Sequence, residues 1–285
     1  MVASSAIVWS TGGPIVRSLE SADAWTTIFW RSVSACLFLV AFMAIRQGRV
    51  IDQFVRMGLP GFFVGAFLAC ASISLVIALR LTTVANTLMI MSAAPLIAAI
   101  LGRIFLAEAI RHITYITITA VMSGFALMVF DSLNNWSLLG DCFALLIAIG
   151  YAVAIVITRR YRQIGMTPAA CWGAVIAMLA SLPFASPLSV TGHDLPILIL
   201  FGAGQLGFGL ALFVTGVSMI PATHSALLGM IEAVLGTLWT WLIFGERPAT
   251  LALAGGSIVM ASIAADTFFG LKRHMAKAQE LQPVA

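Results

Sequence analysis

The chain has 285 residues, of which 61% are hydrophobic and only 9% are charged, and its mean hydropathy is +1.06. A soluble globular protein normally carries about a quarter charged residues, so these figures exclude a soluble enzyme, a disordered protein and a secreted disulfide scaffold. The apolar runs are continuous and about twenty residues long, whereas the strands of a membrane barrel are short and alternating. The composition therefore predicts an all-α polytopic membrane protein.

Ten apolar segments follow one another along the chain, each bounded by charges, proline or glycine. At about 1.5 Å per residue, most are long enough to cross a hydrocarbon core of about 30 Å. The gaps leave no room for an extramembrane domain, so the function must lie within the bundle. The ten predicted transmembrane helices are 2–18, 24–45, 57–79, 84–106, 113–131, 138–158, 167–187, 195–216, 223–244 and 249–269.

The Lys and Arg residues are divided unequally between the two sides of the predicted membrane. Eleven lie on one side and three on the other, while Arg31 falls inside the second segment. Because basic loops stay in the cytoplasm, both termini are predicted to be cytoplasmic. The same distribution accounts for the net charge of +4 without a nucleic-acid partner. The eleven are Arg46, Arg49, Arg56, Arg103, Arg111, Arg159, Arg160, Arg162, Lys272, Arg273 and Lys277, and the three are Arg17, Arg80 and Arg247.

Two blocks, 81–111 and 219–250, resemble each other at a spacing of 138 residues. Each has a small polar lead-in, an apolar span and an aromatic-rich end followed by a glutamate, Glu108 or Glu246. A second match, at a spacing of 142 residues, sets Trp9 and Arg17 against Tyr151 and Arg159, and Trp30 against Trp172.

The two matches predict a first five-helix repeat at 1–134, a second at 135–271 and a cytoplasmic tail at 272–285. Because five is odd, the second repeat enters the membrane from the opposite side. Inverted repeats of this kind recur in secondary transporters. Chance similarity between apolar helices and duplication in a non-transporting protein are the alternatives.

These blocks also carry a family resemblance. The fourth and ninth helices of the EamA-type drug/metabolite transporter superfamily resemble LTTVANTLMIMSAAPLIAAILGRIFLAEAIR and PATHSALLGMIEAVLGTLWTWLIFGERPA. Its second and sixth helices resemble FWRSVSACLFL and GDCFALLIAIGYAVAIVITRR. Within the superfamily the chain is similar to the YddG group of inner-membrane amino-acid exporters. The resemblance implies a central cavity lined by helices 1, 3, 4, 6, 8 and 9, in a bacterial inner-membrane protein.

Glu232 is the deepest carboxylate of the chain, about halfway along the ninth segment. Polar groups inside a bilayer are costly, which makes them the first candidates for function. At about 100° per residue, Ser225, Gly229, Gly236 and Trp239 share its helical face. Glu232 is either a proton-coupling group, the partner of a substrate ammonium, or a neutral residue that fixes helix packing.

Gln205 lies within a glycine-rich stretch, 202–209, of the eighth segment. The stretch contains a formal G-x-G-x-x-G, but a dinucleotide site needs a preceding strand, which is absent from the predicted pattern. We expect the glycines to permit close helix approach or bending, and Gln205 to hydrogen-bond a substrate.

Proline and glycine interrupt two segments. Pro14, with the two glycines before it, predicts a break in the first segment next to Ser10, and Pro95 predicts a bend in the fourth. Broken helices expose backbone groups to a substrate. A packing adjustment without ligand contact explains each kink equally well.

Asn86 and His224 occupy matching positions at the starts of the fourth and ninth segments. His224 suits a gate or coupling role because histidine titrates near neutral pH, although helix capping explains such a residue more often. Trp9, Tyr151 and Trp239 are candidates for stacking on a ligand or for anchoring at the membrane interface.

Arg31 lies roughly 10 Å into the second segment, by the helix rise. It can reach water along the helix or pair with Glu20 or Asp23. The remaining alternative is that it holds a substrate carboxylate.

The four cysteines, Cys36, Cys70, Cys142 and Cys171, show neither C-x-x-C nor metal-ligand spacing. We therefore expect free, buried thiols, and neither a metal nor a cofactor.

The favoured function is a secondary transporter that exports amino acids or similar small metabolites by alternating access. Its predicted partners are a small-molecule substrate and the lipid bilayer, without nucleic acid. Uptake, and efflux of drugs or nucleobases, stay open. An intramembrane enzyme and a channel are less favoured because catalytic clusters and filter loops are missing from the sequence. The predicted substrate-binding or coupling residues are Glu232, Gln205, Trp9, Ser10, Tyr151, Asn86, Trp239 and His224.

If Glu232 is functional, Glu232→Gln reduces transport, or its pH dependence, more than Glu246→Gln does. The measurement is substrate flux into proteoliposomes across a pH series. Equal, wild-type flux in both variants returns Glu232 to a packing role.

Overall fold

Every regular element in the described chain is a helix. The computed structural model describes residues 1–46, 48–107, 112–134, 137–161, 165–217 and 222–280. Its α-helices are α1 (Val2–Ser10), α2 (Gly12–Arg17), α3 (Ala24–Arg46), α4 (Val50–Leu81), α5 (Val84–Met91), α6 (Ala94–Leu106), α7 (His112–Asn134), α8 (Leu138–Arg160), α9 (Met166–Ser181), α10 (Asp194–Ile199), α11 (Gly209–Val217), α12 (Ala222–Phe244) and α13 (Thr250–Glu280). A 3-10 turn forms at Pro187–Ser189, and π-helical turns at Leu200–Phe208 join α10 to α11.

Five stretches of the described chain are long and apolar enough to cross a membrane. Shorter apolar helices accompany them, so the prediction of an all-α polytopic membrane protein is confirmed, while the count of ten spans stays a prediction. The five stretches are Ala24–Arg46, Val50–Leu81, Val84–Leu106, Leu138–Arg160 and Asp194–Gly216.

The helix breaks lie where proline and glycine predict them. The first segment is divided at Thr11, between α1 and α2. The fourth is divided between Met91 and Ala94. Pro95 lacks the backbone N–H that would bond to the carbonyl of Met91, so α5 cannot continue through it.

Three predicted segment boundaries differ from the helix ends in the structure. Helix α4 includes a short helical stretch from Val50, before the predicted start at residue 57. This stretch meets the rest of α4 at a kink at Gly58, whose φ of 54° lies in the left-handed region that glycine adopts readily. Helix α9 ends at Ser181 instead of residue 187, with Leu182 as its C-cap and Pro183 immediately after that cap. Helix α13 continues to Glu280, through most of the predicted tail.

The cysteines are free, as predicted, but Cys171 alone is buried, and Cys36 is partly buried. Cys70 and Cys142 are exposed on α4 and α8. A membrane bundle turns apolar side chains outward to lipid, so an apolar neighbourhood in the sequence does not imply burial. Cys36 and Cys171 lie between α3 and α9, with their sulfur atoms 3.7 Å apart.

Helices from the two halves of the chain interleave. Helix α4 packs on α8 and α9, α3 on α9 and the π-helical turns, α1 on α12, α6 on α8, and α7 on α13. These contacts come in matching pairs. Helix α4 is equivalent to the π-helical turns and α3 to α9, so the α4–α9 contact corresponds to the contact between the π-helical turns and α3. Helix α6 is likewise equivalent to α12 and α8 to α1, so the α6–α8 contact corresponds to the α12–α1 contact. Two structurally equivalent halves produce this pattern.

Glycines bring the backbones of the two halves into direct contact. An ideal Cβ at Gly65 would lie 2.9 Å from the Ala169 carbonyl oxygen, and one at Gly173 would lie 2.8 Å from the Gly65 oxygen. At Gly202 a Cβ would overlap Ser34 Oγ and the Arg31 carbonyl oxygen. The predicted close approach of this glycine-rich stretch is confirmed, and it fixes α3 against the π-helical turns.

We expect Gly202→Ala to destabilise the protein, by about 1 to 3 kcal/mol, since the added methyl group forces α3 away from its contact. The matched control is Gly192→Ala, where an ideal Cβ meets nothing within 4 Å. The measurement is thermal unfolding in detergent micelles. Equal midpoints for the two variants would contradict the close contact.

Candidate functional site

A group of polar side chains that we call the central polar cluster lies where helices of both halves meet. It consists of Arg31 on α3, Ser72 on α4, Tyr151 on α8, Gln205 in the π-helical turns and Glu232 on α12. Arg31 and Gln205 are only 3% and 5% exposed. The cluster therefore joins residues distant in sequence within the interior of the bundle.

The Arg31 guanidinium is the buried charge of this cluster. Its Nη1 donates to Ser72 Oγ at 2.5 Å, and its Nη2 lies 3.5 Å from Gln205 Oε1. Its Cζ lies 4.5 Å from the centre of the Phe201 ring, in cation–π geometry. Its Nε is buried without an acceptor.

The sequence-based pairing of Arg31 with Glu20 or Asp23 was wrong, and so was the path to water. Asp23 accepts from the Thr26 N–H at 3.1 Å, as a residue at the start of α3 does. Arg31 instead points into the bundle and forms no ion pair within the described chain. The alternative in which it holds a substrate carboxylate is the one still open.

Gln205 connects the cluster to the break in the first segment. Its Nε2 donates to the Trp9 carbonyl oxygen at 3.0 Å, and Gly12 lies against the same nitrogen. The side-chain oxygen faces Arg31. The Gln205 side chain is thus anchored on a backbone carbonyl near the end of α1, and its oxygen is turned toward the Arg31 guanidinium.

Tyr151 and Glu232 complete the cluster on the opposite side. Tyr151 interacts electrostatically with both Arg31 and Glu232. Neither the Tyr151 hydroxyl nor the Glu232 carboxyl has a hydrogen-bond or ion-pair partner in the part of the chain described. Arg31 and Glu232 therefore form no ion pair with each other, and Tyr151 lies near enough to both to feel their charges.

The other predicted residues have separate surroundings. The Ser10 hydroxyl is fully buried and donates to the Ile7 carbonyl oxygen at 2.7 Å, so its own helix satisfies it. The Trp9 ring packs 5.3 Å from Phe213, and its Nε1 is buried without an acceptor. Trp239 is partly buried two turns beyond Glu232 on α12. The side chain of His224 lies outside the described residues.

Asn86 lies away from the central cluster and contacts Asp141 on α8. Its Nδ2 is 3.3 Å and 3.4 Å from the two carboxylate oxygens, and Thr82 Oγ1 donates to the same carboxylate at 2.9 Å. Asp141 is only 3% exposed. Sequence reasoning missed it, although a carboxylate inside the apolar start of the sixth segment was the available signal.

An ion pair fastens one end of the bundle, which we call the Glu246 end. Arg17 Nε donates to Glu246 Oε2 at 2.7 Å, and the other guanidinium nitrogens reach the carbonyl oxygens of Leu79 at 2.6 Å and Thr82 at 3.0 Å. Glu246 Oε1 accepts from the Val84 N–H at 2.8 Å. The pair joins the ends of α2, α4 and α12 to the start of α5, a pairing that the repeat comparison missed.

Asp194 is a second fastening at the same end. Its fully buried carboxylate accepts from the N–H groups of Glu20, Ser21 and Ala22 and from Ser21 Oγ, at 2.7–3.1 Å. These bonds attach the start of α10 to the loop between α2 and α3. Both halves of the chain are thus bonded together at the Glu246 end.

We expect the Arg17→Gln and Glu246→Gln variants to be non-additive, coupled by about 1 kcal/mol, because this pair is only partly exposed to solvent. The double variant then unfolds at nearly the temperature of the weaker single variant in detergent. The control is the exposed pair Arg49–Asp52, whose charged atoms are 3.9 Å apart, and for which Asp52→Asn should change the unfolding temperature little. Fully additive losses at residues 17 and 246 would contradict the coupling.

Comparisons with known proteins agree with this architecture. The chain is 24% identical over 269 residues to an uncharacterized transporter of Bacillus subtilis (strain 168), YdfC, covering 90% of this chain and 86% of that protein. A crystal structure of another protein superposes with a TM-score of 0.67 at 18% identity, covering 93% of this chain and 94% of the other, which shows the shared fold. Two stretches, residues 1–130 and 138–265, match the EamA-like transporter family. The chain therefore belongs to the EamA-like transporter family, as its resemblance to the drug/metabolite transporters implied.

Proposed function

We propose that this protein is a secondary transporter, not an enzyme, that exports amino acids or similar small metabolites across the bacterial inner membrane by alternating access. The observation that carries the proposal is the central polar cluster, because both halves of a transporter-family chain contribute to it. Arg31 and Ser72 come from the first half, and Tyr151, Gln205 and Glu232 from the second. Sites at the interface of inverted repeats are the usual place for a transported molecule.

The proposed topology has ten spans with both termini in the cytoplasm. The distribution of Lys and Arg supports it. Met1 contacts Gly216 near the end of α11. Because α11 runs away from the Glu246 end, the N-terminus lies at the opposite end of the bundle. On this topology the Glu246 end faces the exterior of the cell.

The network of Arg17 and Glu246 is the proposed outer gate. It closes the path from the central cluster to the exterior, and it opens when α2, α4 and α12 separate. A few hydrogen bonds and one ion pair suit this role, since the two states of a carrier differ by only a few kcal/mol. The breaks at Thr11 and between α5 and α6, together with the π-helical turns, are the points where segments bend.

Two observations support amino acids as substrates. The chain is similar to the YddG group, and Glu232 offers a carboxyl group without a cationic partner in the described chain, which fits a substrate ammonium. Drugs, nucleobases and uptake in place of export are outcomes that the same assay distinguishes.

The test is counterflow in proteoliposomes loaded with each of the twenty amino acids in turn. We expect accumulation of the labelled external amino acid for a subset of them, saturable and at least about tenfold above protein-free liposomes. Nucleobases and cationic drugs serve as comparison substrates. Flux without saturation indicates a channel, and no substrate-specific flux in any arm would contradict the proposal.

A further inference from the structure

Arg31 is a cation enclosed by the bundle, and no residue that the structure describes forms an ion pair with it. It is 3% exposed, and its described partners are a hydroxyl, an amide oxygen and an aromatic ring. Removing a charge from water costs several kcal/mol unless an opposite charge and hydrogen bonds compensate. Neutral partners supply part of this compensation, so the site is incomplete as it stands.

The guanidinium also has donors to spare. It carries five N–H groups in a planar fork. One donates to Ser72, one meets Gln205 at 3.5 Å, beyond the usual range for a hydrogen bond of this type, and Nε has no acceptor. A carboxylate is the group whose two oxygens match two parallel donors of such a fork.

The surroundings hold the guanidinium in place. Phe201 lies against its face at 4.5 Å, and Gln205 is itself anchored on the Trp9 carbonyl oxygen. Gly202 lets the α3 backbone at Arg31 touch the π-helical turns directly. A charged donor fixed in this manner is preorganised, so binding an anion requires little rearrangement.

We propose that Arg31 binds the carboxylate of the transported molecule, oriented by Ser72 and Gln205. The inference rests on the proposed function and names the chemical class of its substrate, a small monocarboxylate. A phosphate dianion fits poorly, because Arg31 is the cation of the cluster and its single charge does not balance two negative charges. A molecule that also carries an ammonium group can turn it toward Glu232, with Tyr151 in reach of both charges.

The first test measures binding without transport. The purified protein in detergent is heated with each of the twenty L-amino acids, and every amino acid that raises the unfolding temperature is compared with its carboxamide. We expect the carboxylate form to bind at least about thirtyfold more tightly than the amide. Stabilisation by no amino acid, or equal stabilisation by the acid and its amide, would overturn the proposal.

The second test uses variants of the site. Arg31→Gln should abolish the preference for the carboxylate over the amide. Ser72→Asp places a carboxylate next to Arg31 Nη1 and should abolish the preference in the same way, whereas the matched Ser72→Asn, which adds an amide of the same size without a charge, should lower the preference less than Ser72→Asp does. The two Ser72 variants carry the test if Arg31→Gln fails to fold. A preference that survives in folded Arg31→Gln, or in Ser72→Asp, overturns the assignment of Arg31.

The same variants in the counterflow assay separate the two proposals. Wild-type flux that treats acid and amide alike, unchanged in Ser72→Asp, overturns the role of Arg31 and leaves the transporter standing. Arg31-dependent binding of carboxylates without counterflow of any of them supports the site and overturns the transport function.

Discussion

A polar group inside a membrane must find its partner within the protein or on a molecule bound to it, since lipid offers none. This constraint explains why every regular element of the described chain is a helix, which satisfies its own backbone. It also explains the hydroxyl groups: Ser10, Thr237 and Thr240 each donate to a carbonyl oxygen of their own helix. The polar side chains that find no partner in their own helix are therefore the ones that indicate contacts between helices or with a bound molecule.

Those groups fall into two sets with different chemistry. At the Glu246 end, acidic side chains are fully engaged: Glu246 with Arg17 and Val84, and Asp194 with the loop after α2. At the centre, Arg31 and Glu232 are each left without an opposite charge in the described chain. The first set holds helices of the two halves together, while the second set leaves its charges available. A carrier needs both, a closure that can be undone and a site that a substrate completes.

The sequence was sufficient for the fold class, the repeat and the helix breaks, because these depend on local features such as apolar length and proline. The pairing partners were beyond it. Arg31 lies about two helical turns after Asp23. It turns inward to Ser72 and Gln205, whose nearness depends on how α4 and the π-helical turns pack. Asn86 was a candidate site residue at the start of its segment, and its partner Asp141 could not be read from the sequence, because it depends on how α5 meets α8 near the Glu246 end. Long-range packing of interleaved halves decided both outcomes.

The account is tested most directly by the accessibility of the central cluster from each side of the membrane. A cysteine is introduced as Ser72→Cys in a chain whose four native cysteines are replaced, and it is labelled with a membrane-impermeant maleimide from one side at a time. The account predicts labelling from both sides in separate experiments. Once Arg17→Cys and Glu246→Cys are cross-linked across the outer gate, exterior labelling should stop and interior labelling should persist. Labelling from the exterior that continues through the cross-linked gate would contradict alternating access.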